Sequence, residues 1–122
     1  MARSRRNSLL SSEHLEQSYF VAWFRQNYPD FWIFAIPNGG MREKMIAAKL
    51  KTEGVSSGVP DLYIPALKIW IEMKSATGKL SPVQKQWIEY LRNLGDTVLV
   101  AYGNLAAQEM IREEIEKIIK NS

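Results

Sequence analysis

The chain has 122 residues and a hydrophobic fraction of 46%, which indicates one globular domain with a substantial core. It has no cysteine and one histidine, which excludes disulfides and cysteine-ligated zinc or iron–sulfur sites, and argues against His-rich metal sites and a Ser-His-Asp triad. The net charge of +3 is compatible with simple solubility, but its clustering in residues 3–6 and 42–51 also suits a phosphate backbone.

The N-terminal part of the chain divides into a basic segment and a helix. Residues 1–10, MARSRRNSLL, are predicted to be a flexible or loosely docked arm, and residues 11–122 a single domain. Ser11-Ser12-Glu13 has the serine cap and the acidic first turn of a helix N-terminus. Pro29 is expected to end this helix at about Asn27.

The next segment combines an aromatic run with a second helix. FWIFAI, residues 31–36, is uniformly apolar and predicts a buried strand, which the turn PNGG at 37–40 ends. A second helix is predicted from Arg42 to Thr52, with Gly54 directly after its end. Three tryptophans are predicted to belong to the core: Trp23, Trp32 and Trp87.

A hairpin and a well-capped helix follow. Asp61–Ile64 and Lys68–Lys74 read as two strands with a tight connection, and therefore as a hairpin. Ser81-Pro82-Val83-Gln84 combines a serine cap, proline at the first helical position and glutamine at the third, which together form a capping box. This third helix is predicted to end at Leu94-Gly95.

The C-terminal segment completes the order of elements. TVLVAY, residues 97–102, predicts another buried strand, and Asn104 is expected to cap a final amphipathic helix that runs to about Lys120. The order is therefore α-β-α-β-β-α-β-α. Such an order with a central hairpin predicts an α/β fold in which a mixed central β-sheet is flanked by helices.

Three polar residues interrupt the apolar hairpin: Asp61, Glu72 and Lys74. Alternation along a strand puts Glu72 and Lys74 on one face with Trp70, while Asp61 begins the preceding strand. Two carboxylates can bind a divalent cation, and a lysine beside them can stabilise negative charge at a phosphodiester. The alternative is an ordinary polar strand face on which Lys74 forms a salt bridge with one of the acids. Trp70 on this face is expected to pack beside the site, and the alternative for it is stacking on a base. Any metal here must have oxygen ligands, which suggests Mg²⁺ or Mn²⁺.

Four stretches of the chain occur in a characteristic order: PNGG, KTEGVSSGVPDL, IEMKSATGKLSPVQKQWIEYL and LGDTVLVAYG. Together they resemble the virus-type replication-repair nuclease (VRR-NUC) domain, a branch of the PD-(D/E)xK nuclease superfamily. Each piece alone is weak, but the combination is specific and covers nearly the whole chain. The resemblance implies a restriction-endonuclease-like fold, in agreement with the order of elements.

The resemblance also implies a set of site residues. The metal-binding acids are expected to be Asp61 and Glu72, the catalytic lysine Lys74, and a further metal ligand the backbone carbonyl of Met73. The turn formed by Gly58 and Pro60 is expected to place the first of these acids.

The resemblance implies two further site residues, although the sequence around each of them also has a simpler structural explanation. A glutamate of the first helix is expected at the site, and Glu16 is the choice over Glu13, although a solvated helix face explains either residue. The family's recurrent glutamine falls on Gln84, which the capping box already accounts for and which can serve both purposes.

Contacts to DNA are expected from polar and basic side chains: Asn38, Arg42, Lys44, Lys49, Lys51 and Lys79. The alternatives are that Asn38 only bends the chain and that the lysines form a solvated helix face.

The function implied is a metal-dependent DNA endonuclease that acts on branched or structured DNA, with an activity like that of a Holliday-junction resolvase. Because a four-way junction has two-fold symmetry and paired cuts need two sites, we expect a stand-alone domain that forms a homodimer. The alternatives are a non-catalytic nucleic-acid-binding module of the same fold and a purely structural domain. The sequence has no membrane-length apolar run and no signal peptide, so the cytosol of a bacterium or phage-infected host is expected.

Overall fold

The structure, a computed structural model, describes the backbone of residues 2–37 and 44–122 and the side chains of residues 13–37, 46 and 48–122. Its elements are α1 Ala2–Asn27, β1 Phe34–Ala35, α2 Lys44–Thr52, β2 Leu62–Ile64, a 3₁₀ turn at Pro65–Leu67, β3 Ile69–Lys74, α3 Pro82–Asn93, β4 Thr97–Tyr102 and α4 Asn104–Lys120. The predicted order of helices and strands is confirmed. Across these described ranges, no helix is both long and apolar enough to cross a membrane.

The four strands form one mixed sheet in the order β1-β2-β3-β4. β2 pairs antiparallel with both β1 and β3, and β3 pairs parallel with β4. The predicted hairpin is therefore confirmed, with Leu62 opposite Ile71 and Ile64 opposite Ile69. The mixed α/β fold class is confirmed as well.

The two faces of the sheet bury two separate apolar clusters. Helices α1 and α4 cover one face, where Phe20 and Ile111 pack with Ile71 of β3 in the larger cluster. Helix α3 covers part of the other face, where Ile88 and Val98 belong to the smaller cluster. The amphipathic pattern of these helices thus places the sheet between two layers.

The first strand differs from its prediction. β1 consists of Phe34 and Ala35 alone, and both residues are exposed. Trp32 is 81% exposed, so its assignment to the core is wrong, whereas Ile33 is buried. The reason is that, within the described ranges, β1 lies at the sheet edge and pairs with β2 alone, so its neighbours do not cover it on every side. Trp23 and Trp87 are partly buried against the two clusters, in line with the prediction for them.

Two helix beginnings also differ from the predictions. Helix α1 begins at Ala2, so the predicted start at residues 11–13 is wrong. That residues 1–10 form a loosely docked segment stays a prediction. That segment contains alanine, arginine and leucine without glycine or proline, and nothing in it stops a helix. Helix α4 is capped by Gly103 rather than by Asn104, which is its first helical residue.

The predicted start of α3 and the predicted C-terminal ends of the helices are confirmed, whereas the predicted start of α2 at Arg42 lies outside the described residues. Ser81 and Gln84 form both hydrogen bonds of the capping box at the start of α3. After α2, Gly54 has a φ of 109°, and the N–H of Val55 donates to the carbonyl of Leu50 at 2.9 Å. A glycine in the left-handed conformation, followed by an N–H that donates to a carbonyl of the last helical turn, is a common C-terminal helix cap.

Candidate active site

The hairpin register brings Asp61 beside Glu72. Because Leu62 lies opposite Ile71, the residue before Leu62 lies next to the residue after Ile71. The Oδ2 atom of Asp61 accepts a hydrogen bond of 2.7 Å from the backbone N–H of Met73. This hydrogen bond fixes the position of the Asp61 carboxylate against β3 directly before β2 begins.

The loop before Asp61 is held by a close approach to α3. Gly58 has a φ of 90°, a conformation that glycine adopts more readily than other residues. A Cβ atom on Gly58 would lie 2.9 Å from Cγ1 of Val83, so no side chain fits there without a shift. Pro60, two residues later, is fully buried. The turn predicted from Gly58 and Pro60 therefore rests against the N-terminus of α3.

Glu72 is a buried acid with an incomplete set of partners. It is only 2% exposed, and its Oε2 atom accepts a hydrogen bond of 3.2 Å from Nε2 of Gln84. No donor among the described residues reaches its buried Oε1 atom. An unpaired buried oxygen is costly, so a cation or a proton is needed there.

The surroundings of Glu72 raise its pKa to about 8 from an ordinary value of 4.5. Burial is the largest cause, followed by the negative charge of Asp61 and a hydrogen bond between the two side chains. Lys74 acts in the opposite direction and lowers the pKa of Glu72, and Glu13 raises it further. Without a cation, the pair therefore favours a state in which one proton remains on Glu72.

Lys74 lies on the same face of β3 as Glu72, as alternation predicted, and it is 8% exposed. Its stem passes close to the following loop, since a Cβ atom on Gly78 would lie 3.3 Å from Cδ of Lys74. The ammonium group is thus placed near the acid pair by a strand and a tight loop, not by a mobile surface segment.

Gln84 takes part in two contacts at once. Its Oε1 atom accepts from the backbone N–H of Ser81 at 2.8 Å and closes the capping box, while its Nε2 atom donates to Glu72. The two sides of one amide therefore join the N-terminus of α3 to the buried acid. The sequence predicted the cap, and the tertiary structure adds the contact with the acid.

The two glutamates of α1 have different surroundings. The Oε1 atom of Glu16 accepts a hydrogen bond of 2.8 Å from the N–H of Asn104, and so binds the N-terminus of α4. Glu13 is exposed, and its negative charge is one of the causes that raise the pKa of Glu72. Glu16 thus joins α1 to α4, whereas the charge of Glu13 is the smallest of the causes that raise the pKa of Glu72.

The donor set suits a hard divalent cation. Within residues 13–37, 46 and 48–122, no group of three or more His, Cys, Asp or Glu side chains is placed to hold a metal ion, which leaves the pair Asp61 and Glu72. Both side chains offer only oxygen atoms as ligands, and one buried oxygen of Glu72 has no donor within the described ranges. Mg²⁺ is usually bound through one or two carboxylates and keeps several waters, so these residues fit such an ion.

The residues expected to contact DNA that the structure describes lie in two separate segments of the chain. Lys49 and Lys51 are exposed on α2, and Lys79 is exposed in the loop before α3. Asn38 and Arg42 lie outside the described residues, as does the side chain of Lys44. Their contacts with DNA stay predictions.

The sequence did not indicate an aromatic row on the same face of the sheet. Phe34 lies opposite Tyr63, and Tyr63 lies opposite Trp70. Trp70 was expected on this face by alternation, but the other two join it only through the pairing register. No short-range signal in the chain reports such a register between separate strands.

Comparisons with known proteins agree with this fold. The family model of the VRR-NUC domain matches residues 10–105. A solved structure described as a VRR_NUC domain protein has a TM-score of 0.69 and 27% sequence identity, over 85% of this chain and 88% of that chain. A search among curated proteins found no match. The family expected from the four sequence stretches is confirmed.

Proposed function

The chain belongs to the VRR-NUC family, and on that premise we propose that it is a metal-dependent DNA endonuclease that cuts branched or structured DNA. The observation that carries the proposal is the acid pair, in which Glu72 is buried and Asp61 is half-buried. Glu72 is 2% exposed, lies beside Asp61 and has an oxygen that no donor reaches from the described part of the chain. Two adjacent carboxylates, one of them buried, destabilise a fold unless a cation or a proton compensates them, so their presence favours a cation-binding role.

In this proposal Asp61, Glu72 and the backbone carbonyl of Met73 hold Mg²⁺ or Mn²⁺. Such an ion, when bound, lowers the pKa of water and stabilises negative charge on the phosphodiester. Of the two acids on α1, Glu13 is the better candidate to act at this ion. Its charge acts on Glu72, whereas a carboxylate oxygen of Glu16 is occupied by the N–H of Asn104.

Lys74 and Gln84 have complementary roles in the proposed reaction. Lys74 offers its ammonium group to the negative charge that develops at the phosphate, and burial strengthens this interaction because little water screens it. Gln84 donates to Glu72 and fixes the orientation of its carboxylate, as residues around metal ligands commonly do. Because Gln84 belongs to a capped helix, this orientation is fixed by the fold.

The proposed substrate and assembly follow from the symmetry of branched DNA. A homodimer would supply two active sites for paired cuts on a four-way junction. Phosphate contacts are proposed for Asn38, Arg42, Lys44, Lys49, Lys51 and Lys79, which would make binding fall with salt concentration.

The test is a cleavage assay with a labelled four-way junction, a flap and a plain duplex in Mg²⁺, Mn²⁺ and EDTA. Lys74→Ala should cut about 10²- to 10³-fold more slowly than the wild type, the loss typical of removing one group that stabilises the transition state. Lys120→Ala, which removes an exposed lysine at the end of α4, is the matched control and should cut normally.

The substrates separate the finer points of the proposal. Symmetric paired cuts confined to the junction would support a dimeric resolvase, and cutting of the flap alone would point to a different branched substrate. Binding without cutting of any substrate in either metal would overturn the proposal and leave a nucleic-acid-binding module.

A further inference from the structure

Three aromatic rings form a continuous row across the sheet. The ring centroids of Phe34 and Tyr63 are 5.9 Å apart, and those of Tyr63 and Trp70 are 4.1 Å apart. Each contact joins directly opposite residues of neighbouring strands. The row therefore runs perpendicular to the strands, from β3 to the edge strand β1.

The row is buried at one end and open at the other. Trp70 packs against the small cluster under α3, and its Nε1 atom donates to Oδ2 of Asp96 at 2.9 Å. Tyr63 is half-buried, and Phe34 is 47% exposed. The open end is thus supported by a ring that is anchored on two sides, which keeps the exposed rings in place.

The row lies next to the acid pair on the same face of the sheet. Tyr63 is two residues from Asp61 along β2, and Trp70 is two residues from Glu72 along β3. At the rise of a strand, each separation is about 7 Å between Cα atoms. A DNA strand whose phosphate lies at the acids would therefore have a neighbouring base within reach of the rings.

We propose that Phe34 and Tyr63 form a stacking platform for one unpaired base of the DNA substrate, beside the phosphate that the acids engage. This inference rests on the proposed nuclease function and narrows its substrate to DNA with an unpaired base near the cut. Aromatic rings bind single-stranded DNA through the faces of its bases, and those faces are covered by stacking in a plain duplex.

The size of the platform favours a base over a protein partner. Two rings at a sheet edge offer far less area than the roughly 800 Å² per partner of a stable protein interface. The platform is also continuous with the acids on one sheet face, so a ligand that bridges both must combine a flat apolar group with a phosphate. A nucleotide has this chemistry.

Binding in EDTA tests the platform independently of cleavage. The affinities of a short single-stranded oligodeoxynucleotide and of a blunt duplex are measured at low salt by fluorescence anisotropy. Phe34→Ala should weaken binding of the single strand about tenfold, the effect of losing one stacked base, and leave duplex binding within roughly twofold. Phe34→Trp keeps a ring and should restore binding of the single strand.

Trp32→Ala is the matched control, because Trp32 is more exposed than Phe34 but does not belong to the row. It should leave both affinities within roughly twofold of the wild type. Circular dichroism melting confirms that Phe34→Ala is folded, as expected for an exposed residue of an edge strand. An equal loss in Phe34→Ala and Trp32→Ala, or an equal loss on single strand and duplex, would overturn the platform.

Photocrosslinking locates the base directly. A single strand with one 5-iododeoxyuridine is irradiated with the wild-type protein, and mass spectrometry should find the adduct on Phe34 or Tyr63. Adducts confined to other residues, or a wild type that does not prefer the single strand, would overturn the inference. Stacking without cleavage in any metal would instead count against the nuclease proposal alone, so the two failures are distinguishable.

Discussion

The two faces of β3 are both buried, but they contribute to the protein in opposite ways. On one face Ile69, Ile71 and Met73 are at most 1% exposed and pack between α1 and α4. On the other face Glu72 and Lys74 are 2% and 8% exposed, and Glu72 lies beside a second acid. Burial stabilises the first face and carries a cost on the second. The difference shows that burial alone does not identify a core, because the chemistry of the buried atoms decides whether their burial stabilises or destabilises the fold.

The largest expected effect concerns the pH dependence of the charged face. Burial and Asp61 raise the pKa of Glu72 from 4.5 to about 8, so between these values the folded state retains a proton that the unfolded state releases. In EDTA this stabilising contribution is fully present below pH 4.5 and is lost as the pH rises through about 8.

Urea unfolding at several pH values measures this loss. Glu72→Gln has no carboxyl group to titrate and should flatten the fall in unfolding free energy, whereas Glu116→Gln, on the exposed side of α4, should leave it unchanged. A wild type as stable at pH 8.5 as at pH 5 would contradict the raised pKa.

The apolar face is tested by truncation of Ile71. Ile71→Ala should lower the free energy of unfolding by about 3 kcal/mol, because it leaves a cavity in the larger cluster. Ile118→Ala, at a position that is 41% exposed, should change it by less than about 0.5 kcal/mol. Chemical unfolding measures both variants, and a small loss in Ile71→Ala would mean that the larger cluster is loosely packed.

The loop that delivers the acid to the charged face depends on Gly58. Gly58→Ala should cost about 2 kcal/mol, since it combines an unfavourable positive φ with a close contact to Val83. Gly54 also has a positive φ, 109°, but no atom lies within 4 Å of its Cβ position, so Gly54→Ala should cost only about 1 kcal/mol. Equal losses in thermal or chemical unfolding would show that the contact with Val83 is easily relieved.

Because Gln84 both caps α3 and contacts Glu72, variants of it can distinguish effects on stability from effects on cleavage. Gln84→Ala and Ser81→Ala each remove part of the capping box and should lower the unfolding free energy by about 1 kcal/mol. Gln84→Glu keeps an acceptor for the N–H of Ser81 but removes the donor to Glu72. Cleavage should therefore fall in both Gln84 variants and remain normal in Ser81→Ala, and normal cutting by Gln84→Glu would show that the contact with the acid is dispensable.

The smallest expected effect concerns the two acids of α1. Glu16→Ala should cost about 1 kcal/mol because the N–H of Asn104 loses its acceptor, whereas Glu16→Gln retains an oxygen there and should be nearly neutral. Glu13→Gln should slow cutting without loss of stability. The reverse pattern, with slow cutting in Glu16→Gln and normal cutting in Glu13→Gln, would make Glu16 the acid that acts at the metal.

Part of this architecture is readable from short-range patterns. The strand alternation that pairs Glu72 with Lys74 is a property of the extended backbone, and the capping box of Ser81 and Gln84 joins residues three apart. The hairpin and the order of elements follow from the same local signals. The family resemblance additionally predicts that Asp61, Glu72 and Lys74 are site residues, and it uses no information on tertiary contacts.

Other features needed the folded chain. Phe34 joins the aromatic row only because β1 pairs with β2 in one particular register. The acceptor for the N–H of Asn104 at the start of α4 comes from Glu16, which lies far away in sequence. The exposure of Trp32 follows from its place next to the edge strand. Propensity describes a residue and its neighbours, so it carries no information about partners supplied by distant elements.

The sequence by itself determined the elements, their order, the polar face of β3 and the family, because each depends on spacing within one segment or on a linear series of motifs. Only the tertiary structure decided that Gln84 and Asp61 reach Glu72 from separate elements. It is also the tertiary structure that raises the pKa of Glu72, through burial and the charge of Asp61. Contacts of this kind arise when the chain closes long loops between helices and strands, and the geometry of that closure is a property of the whole fold.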